Sequence, residues 1–282
     1  MIARHAAHLY VPADQPEKLK KANGLPVASV VVDLEDAVVS DRKDMAVESL
    51  ADSVAALADV SVWVRINQGA RGLADLEHVF TLPGVDGIWI PKAEPGQFFS
   101  RVIEAVSNRP GIAVGVLIES ARGFVHRNEL LAPTVVTRVQ LGEYDFRADT
   151  GFGPLTTESF DHLTPLRTDI VMSAVAHGVD DIVGIVSADF SDLHSFEQTT
   201  QLLFDTGHTT RACIHPAQVN VVNTLATPSE KEIAWARKTL ELFAHNEKAG
   251  IGAYSDADGE MADKATVRRA ERILARAGGS PA

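Results

Sequence analysis

Short runs of β-branched and apolar residues recur along the chain, separated by longer stretches in which apolar positions return every three or four residues. Alternation of this kind predicts repeated βα units and a parallel sheet. Eight runs read as strands: His8–Val11, Ser29–Leu34, Ser61–Ile66, Gly87–Ile90, Ala113–Ile118, Arg138–Leu141, Asp181–Ile185 and Ala212–Ile214. Eight is the number that closes a barrel, so the expected fold is α/β, a TIM (β/α)8 barrel over residues 1–227. Helical spacing predicts Gln15–Ala22, Arg42–Leu57, Leu73–Thr81, Gln97–Ser107, Phe124–Leu131, Pro165–His177 and Asp192–Asp205. Ser40 and Asp41 stand as caps ahead of the second of these, and Gly178 stands just past the helix ending at His177. Residues 228–282 read as a C-terminal helical arm. Ser229 caps a helix opening on Glu230, Lys231 and Glu232, and a second helix runs from Asp263 to Ala277. Between them Lys248–Glu260 lacks periodicity and reads as an exposed loop, a candidate lid.

Composition narrows the picture. A chain of 282 residues suits one large barrel, and 45% hydrophobic with 23% charged residues is enough to bury a sizeable core. The net charge of −12 argues against nucleic acid and anionic membrane as partners, since polyanions are bound by clustered Lys and Arg. A single cysteine, Cys213, excludes an internal disulfide and a cysteine-rich metal site. With no apolar stretch preceded by positive charge at the start, the expectation is a reducing, cytoplasmic location. Apolar runs such as Val30–Val32 and Ile112 to Ile118 are far below the ~20 residues that span a bilayer. No Gly-x-Gly-x-x-Gly, phosphate loop, Gly-x-Ser-x-Gly or His-Glu-x-x-His run is present, which removes support for nicotinamide dehydrogenases, nucleotide hydrolases, serine hydrolases and zinc proteases.

Active sites of closed parallel barrels are built at the carboxyl ends of the strands, and polar residues crowd those ends here. The second run ends in Asp33-Leu34-Glu35-Asp36, the third in Arg65-Ile66-Asn67, the fourth in Pro91-Lys92, the fifth in Glu119-Ser120, the sixth in Gly142-Glu143-Tyr144-Asp145, and the last in His215-Pro216. Glu119 and Asp145 follow consecutive strands, so their carboxylates can converge on one point. Two carboxylates with room for waters suit Mg2+, which prefers hard oxygen ligands. The other open reading is that each caps the helix that follows. Arg65 sits where a guanidinium can hold a substrate carboxylate bidentately, or pair with Asp33, Glu35 or Asp36. Glu35 and Asp36 read equally as acceptors orienting metal-bound waters and Arg65, or as the acidic start of a helix. Gly142, Glu143 and Tyr144 are further candidate substrate contacts. Cys213 and His215, two apart on one expected strand, suggest a nucleophile and base, but free cysteine is usually a small buried hydrophobe and no orienting third group follows. His5 and His8 read as structural or surface residues.

Taken together, these strand ends resemble the citrate lyase β-subunit-like branch of the HpcH/HpaI aldolase superfamily. The resemblance rests on Leu9-Tyr10-Val11-Pro12, Asp33 to Val38 with Lys43, Val64-Arg65-Ile66-Asn67, Pro91-Lys92, Ile118-Glu119-Ser120 with Gly123, Gly142 with Asp145, and Ile214 to Gln218 leading to Pro228-Ser229. It implies a Mg2+-dependent barrel that cleaves or forms carbon–carbon bonds in 3-hydroxyacyl-CoA thioesters such as citryl-, malyl- and citramalyl-CoA. Glu119 and Asp145 would then be the metal ligands, with Arg65, Glu35 and Asp36 around the substrate and waters. Gly250–Ala253 with Gly259–Asp263 is similar to the family's C-terminal lid, which closes over a neighbouring subunit and delivers a catalytic aspartate, here Asp263. A homo-oligomer, a trimer by analogy, follows from that exchange, with a keto acid and an acyl-CoA as small-molecule partners. The chain departs from the pattern at Ala6 (commonly Arg), at Ala13 (commonly Gly) and at Gly207-His208-Thr209-Thr210-Arg211 (commonly Gly-Phe-x-Gly-Lys). Arg4 is the nearby substitute for the first, and the other two fall on loops expected near the pantetheine or phosphates of CoA. Thioester hydrolysis on the same scaffold and a noncatalytic keto-acid-binding subunit of a larger complex are the alternatives to a lyase.

Overall fold

The computed structural model describes residues 5–156, 159–248, 254–255 and 261–278. Among these, eight parallel strands close into a barrel in chain order: β1 (Ala7–Pro12), β2 (Ser29–Asp33), β3 (Val62–Arg65), β4 (Gly87–Ile90), β5 (Ala113–Ile118), β6 (Val136–Leu141), β7 (Asp181–Gly184) and β8 (Thr210–Cys213). β8 returns to β1 through the pairs Ala7↔Arg211 and Leu9↔Cys213. This is the TIM barrel the alternation predicts, with β4 and β5 at the predicted bounds and the other strand edges within two residues of them. The chain divides into two units, one spanning Ala6–Val222 and one containing the segment from Asn223 onward.

Helices cover the outer side of the barrel, so its strands are apolar on both faces instead of alternating, and Val30, Val31 and Val32 are all fully buried. Inside, Val31, Trp63, Trp89, Leu117, Val183 and Ala212 form one cluster drawn from six strands. Trp63 lies beside Gly87, and Trp89 beside Gly115, each its register partner on the next strand. At the amino ends a polar floor replaces this apolar layer. The His8 ring joins Ser29 Oγ at 2.7 Å to Asp181 at 3.2 Å, while Arg138 Nε and Thr210 Oγ1 donate to Asp181 at 2.8 and 2.6 Å. Burial alone would raise the Asp181 pKa, but His8 and Arg138 outweigh it and hold the carboxylate ionised. His8 is thus structural, as its position in the pattern suggests.

Gln97–Ser107 forms as predicted, Leu193–Asp205 is capped by the Asp192 side chain, and Thr164–His177 ends on Gly178 in the left-handed region at φ 73°. The predicted Arg42–Leu57 helix is instead three pieces, a 3-10 turn Ser40–Arg42 and helices Lys43–Glu48 and Leu50–Ala55. Ser40 and Asp41 are taken into the 3-10 turn, and neither caps. The predicted Phe124–Leu131 begins earlier, at Ala121 behind the Ser120 cap, and breaks at His126. Helices Glu143–Thr150 and Pro216–Ala226 are additional. Each starts directly from a strand tip, and the Glu143–Thr150 sequence is too polar for an apolar stripe to announce it.

In the C-terminal unit, Glu230–Lys248 opens on a capping box: Ser229 Oγ accepts from Glu232 N, and Glu232 Oε2 accepts from Ser229 N at 2.8 Å. Helix Lys264–Arg276 packs against it through Ala236, Ala270 and Ile273. Tyr254–Ser255 pairs antiparallel with Met261–Ala262. Gly250–Ala253 and Gly259–Glu260 of the expected lid lie outside the described residues, as does Arg4. No described helix is long and apolar enough to cross a membrane.

Candidate active site at the carboxyl end of the barrel

Asp33 and Arg65 are the last residues of β2 and β3 and are register partners. Arg65 Nε and Nη2 donate to the two oxygens of Asp33 at 2.7 and 2.5 Å, and Nη1 stands 3.4 Å from Glu35 Oε2. Burial works against the Arg65 charge, but the Asp33 carboxylate outweighs it and raises the pKa, so the guanidinium stays cationic. Asp33 also accepts from the amides of Glu35 and Ala37, which folds the Glu35-Asp36 loop over the strand tip. Asp36 pairs with Lys92 at 2.9 Å instead of with Arg65. Lys43 Nζ closes the loop from outside, donating to the Leu34 and Glu35 carbonyls and to Asn67.

Glu119, just past β5, is 5% exposed. Burial pushes its pKa up to about 8, opposed by Arg65 and the Lys92 amide and reinforced by the Asp145 and Glu35 carboxylates. A β-carbon at Gly142 would stand 2.6 Å from Glu119 Oε1, so only glycine lets the β6 tip approach this carboxylate. Asp145 follows in the first turn of Glu143–Thr150. Neither carboxylate caps a helix: Ser120 caps the helix after Glu119, and the helix bearing Asp145 has no side-chain cap. The Asp145 carboxylate makes no hydrogen bond among the described residues. Glu119, Asp145 and Arg65 border one cavity of about 350 Å³, together with Tyr10, Gln140 and Tyr144. The Tyr10 hydroxyl donates to Gln140 Oε1 at 3.1 Å. No three His, Cys, Asp or Glu side chains converge as a metal cluster among the described residues.

A family model described as HpcH/HpaI aldolase/citrate lyase matches residues 6–216. The chain belongs to this family. It is 29% identical to a (3S)-malyl-CoA thioesterase of Cereibacter sphaeroides over 97% of this chain and 96% of that protein. It is also 29% identical to the mitochondrial citramalyl-CoA lyase of Homo sapiens, over 95% of this chain and 84% of the relative. A crystal structure of protein CitE from Mycobacterium tuberculosis in complex with magnesium, acetoacetate and coenzyme A superposes with a TM-score of 0.80 at 29% identity, covering 99% of this chain and 100% of that one. Members of the HpcH/HpaI aldolase/citrate lyase family thus include both lyases and a thioesterase, and structures similar to this chain hold magnesium.

The structure also places the other residues singled out in the sequence. Glu143 borders the cavity, is 1% exposed, and both its oxygens accept from Arg167, at 2.5 and 2.7 Å, so its carboxylate is held by that ion pair. Tyr144 is half-exposed on the wall, its hydroxyl accepting from Ala188 N. β8 ends at Cys213, so Cys213 and His215 do not share a strand face. Cys213 is fully buried with its thiol pushed up to about 12 by burial, and the His215 ring stacks on Phe190 at 4.8 Å. Asp263 is the N-cap of Lys264–Arg276, accepting from Ala265 N and Thr266 N at 2.8 and 3.0 Å. Sequence reasoning gave Lys92 no role, although it touches three carboxylates; the Pro91-Lys92 pair at a strand tip was the available signal.

The Gly207–Arg211 departure also reads differently in three dimensions. Arg211 is in β8, 1% exposed, with Nε on the Ile185 carbonyl and Nη1 on Phe196 O and the Thr199 and Thr200 hydroxyls. It ties the end of β7, β8 and the helix between them, Leu193–Asp205, together instead of lying on a loop. His208, where the family pattern has Phe, is buried beside the Leu203 carbonyl, and burial lowers its pKa to about 4. Between pH 6.5 and 4 the unfolded histidine binds a proton that the folded one refuses, so stability falls as the pH is lowered through this window. His208→Phe is expected to remove that slope, a difference on the order of 3 kcal/mol at pH 4. Urea midpoints of both proteins from pH 7.5 to 4 measure it, and parallel profiles would refute it.

Proposed function

We propose that the protein is a Mg2+-dependent carbon–carbon lyase that cleaves a 3-hydroxyacyl-CoA thioester of the citryl-, malyl- or citramalyl-CoA type to an oxo acid and an acyl-CoA. The observation that carries this reading is the pair of carboxylates, Glu119 and Asp145, facing one cavity with the Arg65 guanidinium. A buried carboxylate whose pKa is driven to about 8 beside a second carboxylate without a hydrogen-bond partner is a donor set suited to a hard divalent cation. Glu119 and Asp145 would hold Mg2+, which when bound supplies Lewis-acid stabilisation of oxygen charge that develops as the bond breaks.

The chain's own residues supply orientation and proton transfer. Arg65 spends Nε and Nη2 on Asp33, which fixes the plane of the guanidinium; Nη1, whose contact to Glu35 is 3.4 Å long, would grip the carboxylate of the oxo-acid portion. In cleavage the bond between C2 and C3 breaks, the 3-hydroxyl loses its proton, and the electron pair passes to the thioester as an enolate that takes up a proton at C2. Asp263, brought by a neighbouring subunit of a homo-oligomer, moves that proton. Amide donation from Thr266 and Ala265 lowers its pKa, so at neutral pH it is an ionised base suited to the condensation direction, a role worth about 10²–10⁴-fold.

The malyl-CoA thioesterase among the relatives supports a second reading, hydrolysis of the same thioester. Product analysis separates them with malyl-, citramalyl- and citryl-CoA in the presence of Mg2+. Oxo acid with acyl-CoA is the expected result, and hydroxy acid with free CoA would replace the lyase by a hydrolase. Absence of turnover together with Mg2+-dependent binding of an oxo acid would make the chain a binding subunit.

A further inference from the structure

Lys92 follows β4 directly after Pro91, and its φ of 46° is the one left-handed backbone at a non-glycine among the described residues. A β-carbon is disfavoured there, and such residues persist only where their surroundings over-determine them. The surroundings here do so from four directions. Its amide donates to Glu119 Oε2 at 2.7 Å, and its carbonyl accepts from Gln68 Nε2 at 3.0 Å. The next amide, of Ala93, is fixed on the Leu117 carbonyl. The ammonium donates to Glu35 Oε1 at 2.5 Å and Asp36 Oδ2 at 2.9 Å. One residue therefore holds three carboxylates, of which Glu119 lines the cavity.

The charge balance shows why this matters. Asp33 and Glu35 pair with Arg65, Glu35 and Asp36 pair with Lys92, and Glu119 and Asp145 line one cavity with Arg65. Arg65 gives Nε and Nη2 to Asp33 and reaches Glu35 only at 3.4 Å, so Lys92 is the main countercharge of Glu35 and Asp36; without it their carboxylates would compete with Glu119 and Asp145 for a divalent ion. Mg2+ needs near-octahedral geometry and retains waters for its remaining positions, and extra carboxylates would displace or misplace it. We infer that Lys92 is the positioning residue of the cation site: its amide pins one oxygen of Glu119, and its ammonium occupies Glu35 and Asp36, so that Glu119 and Asp145 alone face the ion. This rests on the Mg2+ reading under Proposed function.

The test is Mg2+ titration by calorimetry on the full chain, together with kcat and melting curves, for the wild type and Lys92→Met, Lys92→Arg and the triple variant Lys92→Met/Glu35→Gln/Asp36→Asn. Removing a positive charge beside a carboxylate cup strengthens its pull on a cation, so Lys92→Met is expected to bind Mg2+ about tenfold more tightly. Its kcat should nevertheless fall by about 10–100-fold. Lys92→Arg should stay close to the wild type, and the triple variant should lose the extra affinity. Tighter binding with slower turnover is a pattern that a merely loosened fold does not produce. Lys92→Gln gives the same comparison if the methionine variant does not fold. Unchanged or weaker Mg2+ binding without the ammonium, or tight binding that survives in the triple variant, overturns this inference alone. A wild type that binds no Mg2+ overturns it together with the reading it rests on.

Discussion

Glu119→Gln is expected to abolish Mg2+ binding, to cut turnover on the order of 10²–10³-fold, and at the same time to make the metal-free protein more stable at neutral pH. The opposite signs follow from the burial of this carboxylate. A carboxyl whose folded pKa is about 8 keeps its proton in the native state where the unfolded chain, near 4.5, has already lost it. The native state therefore binds more protons between these values, and stability falls as the pH rises through that window. At pH 7 the loss in the metal-free protein is on the order of 3 kcal/mol, and glutamine removes it. Mg2+ should restore the wild type and leave the variant unmoved. Asp145→Asn should lose the ion and the turnover likewise without the gain in stability, because Asp145 is half-exposed. Calorimetric Mg2+ titration and denaturant melts at pH 5.5 and 7.5 read all of this, and a Glu119→Gln protein that still binds Mg2+ would end the metal assignment.

The second large effect is expected at Glu143, a buried ion-paired residue on the wall of the same cavity. Glu143→Gln leaves the Arg167 guanidinium, 2% exposed, with the Phe160 carbonyl and no countercharge. Breaking one side of a buried pair commonly costs about 3–5 kcal/mol, far more than a surface ion pair. The melting temperature should therefore drop by roughly 10 °C, at about 2–4 °C per kcal/mol for a chain of this size. Replacing both partners, Glu143→Leu with Arg167→Met, should recover most of the loss, since a desolvated pair contributes little beyond an apolar filling of similar volume. A double variant no more stable than the single one would mean that the pair itself, and not the stranded charge, sustains this part of the barrel. Glu143 also opens the helix that carries Asp145, so the single variant should weaken Mg2+ binding by about 10–100-fold.

Much of the molecule is legible in the linear pattern for a local reason. A buried parallel strand must be apolar on both sides, so Val30–Val32 and Ala113–Ile118 announce themselves, and the polar residues that end each run mark the barrel's open mouth. The helices that were missed follow the same logic in reverse. Glu143–Thr150 carries an ion-pairing glutamate, a cavity-lining aspartate and a half-exposed tyrosine, so it has no apolar stripe of the kind by which helices are found. Ser40 and Asp41 show the converse, two good capping residues whose turn was taken up by a 3-10 winding.

Sequence alone determined the eight strands, and the carboxylates and the guanidinium at their carboxyl ends, because these follow from side-chain type and spacing along one element. Only the tertiary structure decided the partners: Arg65 with Asp33, Glu143 with Arg167, Lys92 with Glu35, Asp36 and Glu119, and Gly142 against Glu119. Each joins residues from different elements, and all but Glu143 with Arg167 from different βα units; which of several nearby opposite charges a buried group takes depends on distances of a few tenths of an ångström and on desolvation, neither of which is written in the order of residues.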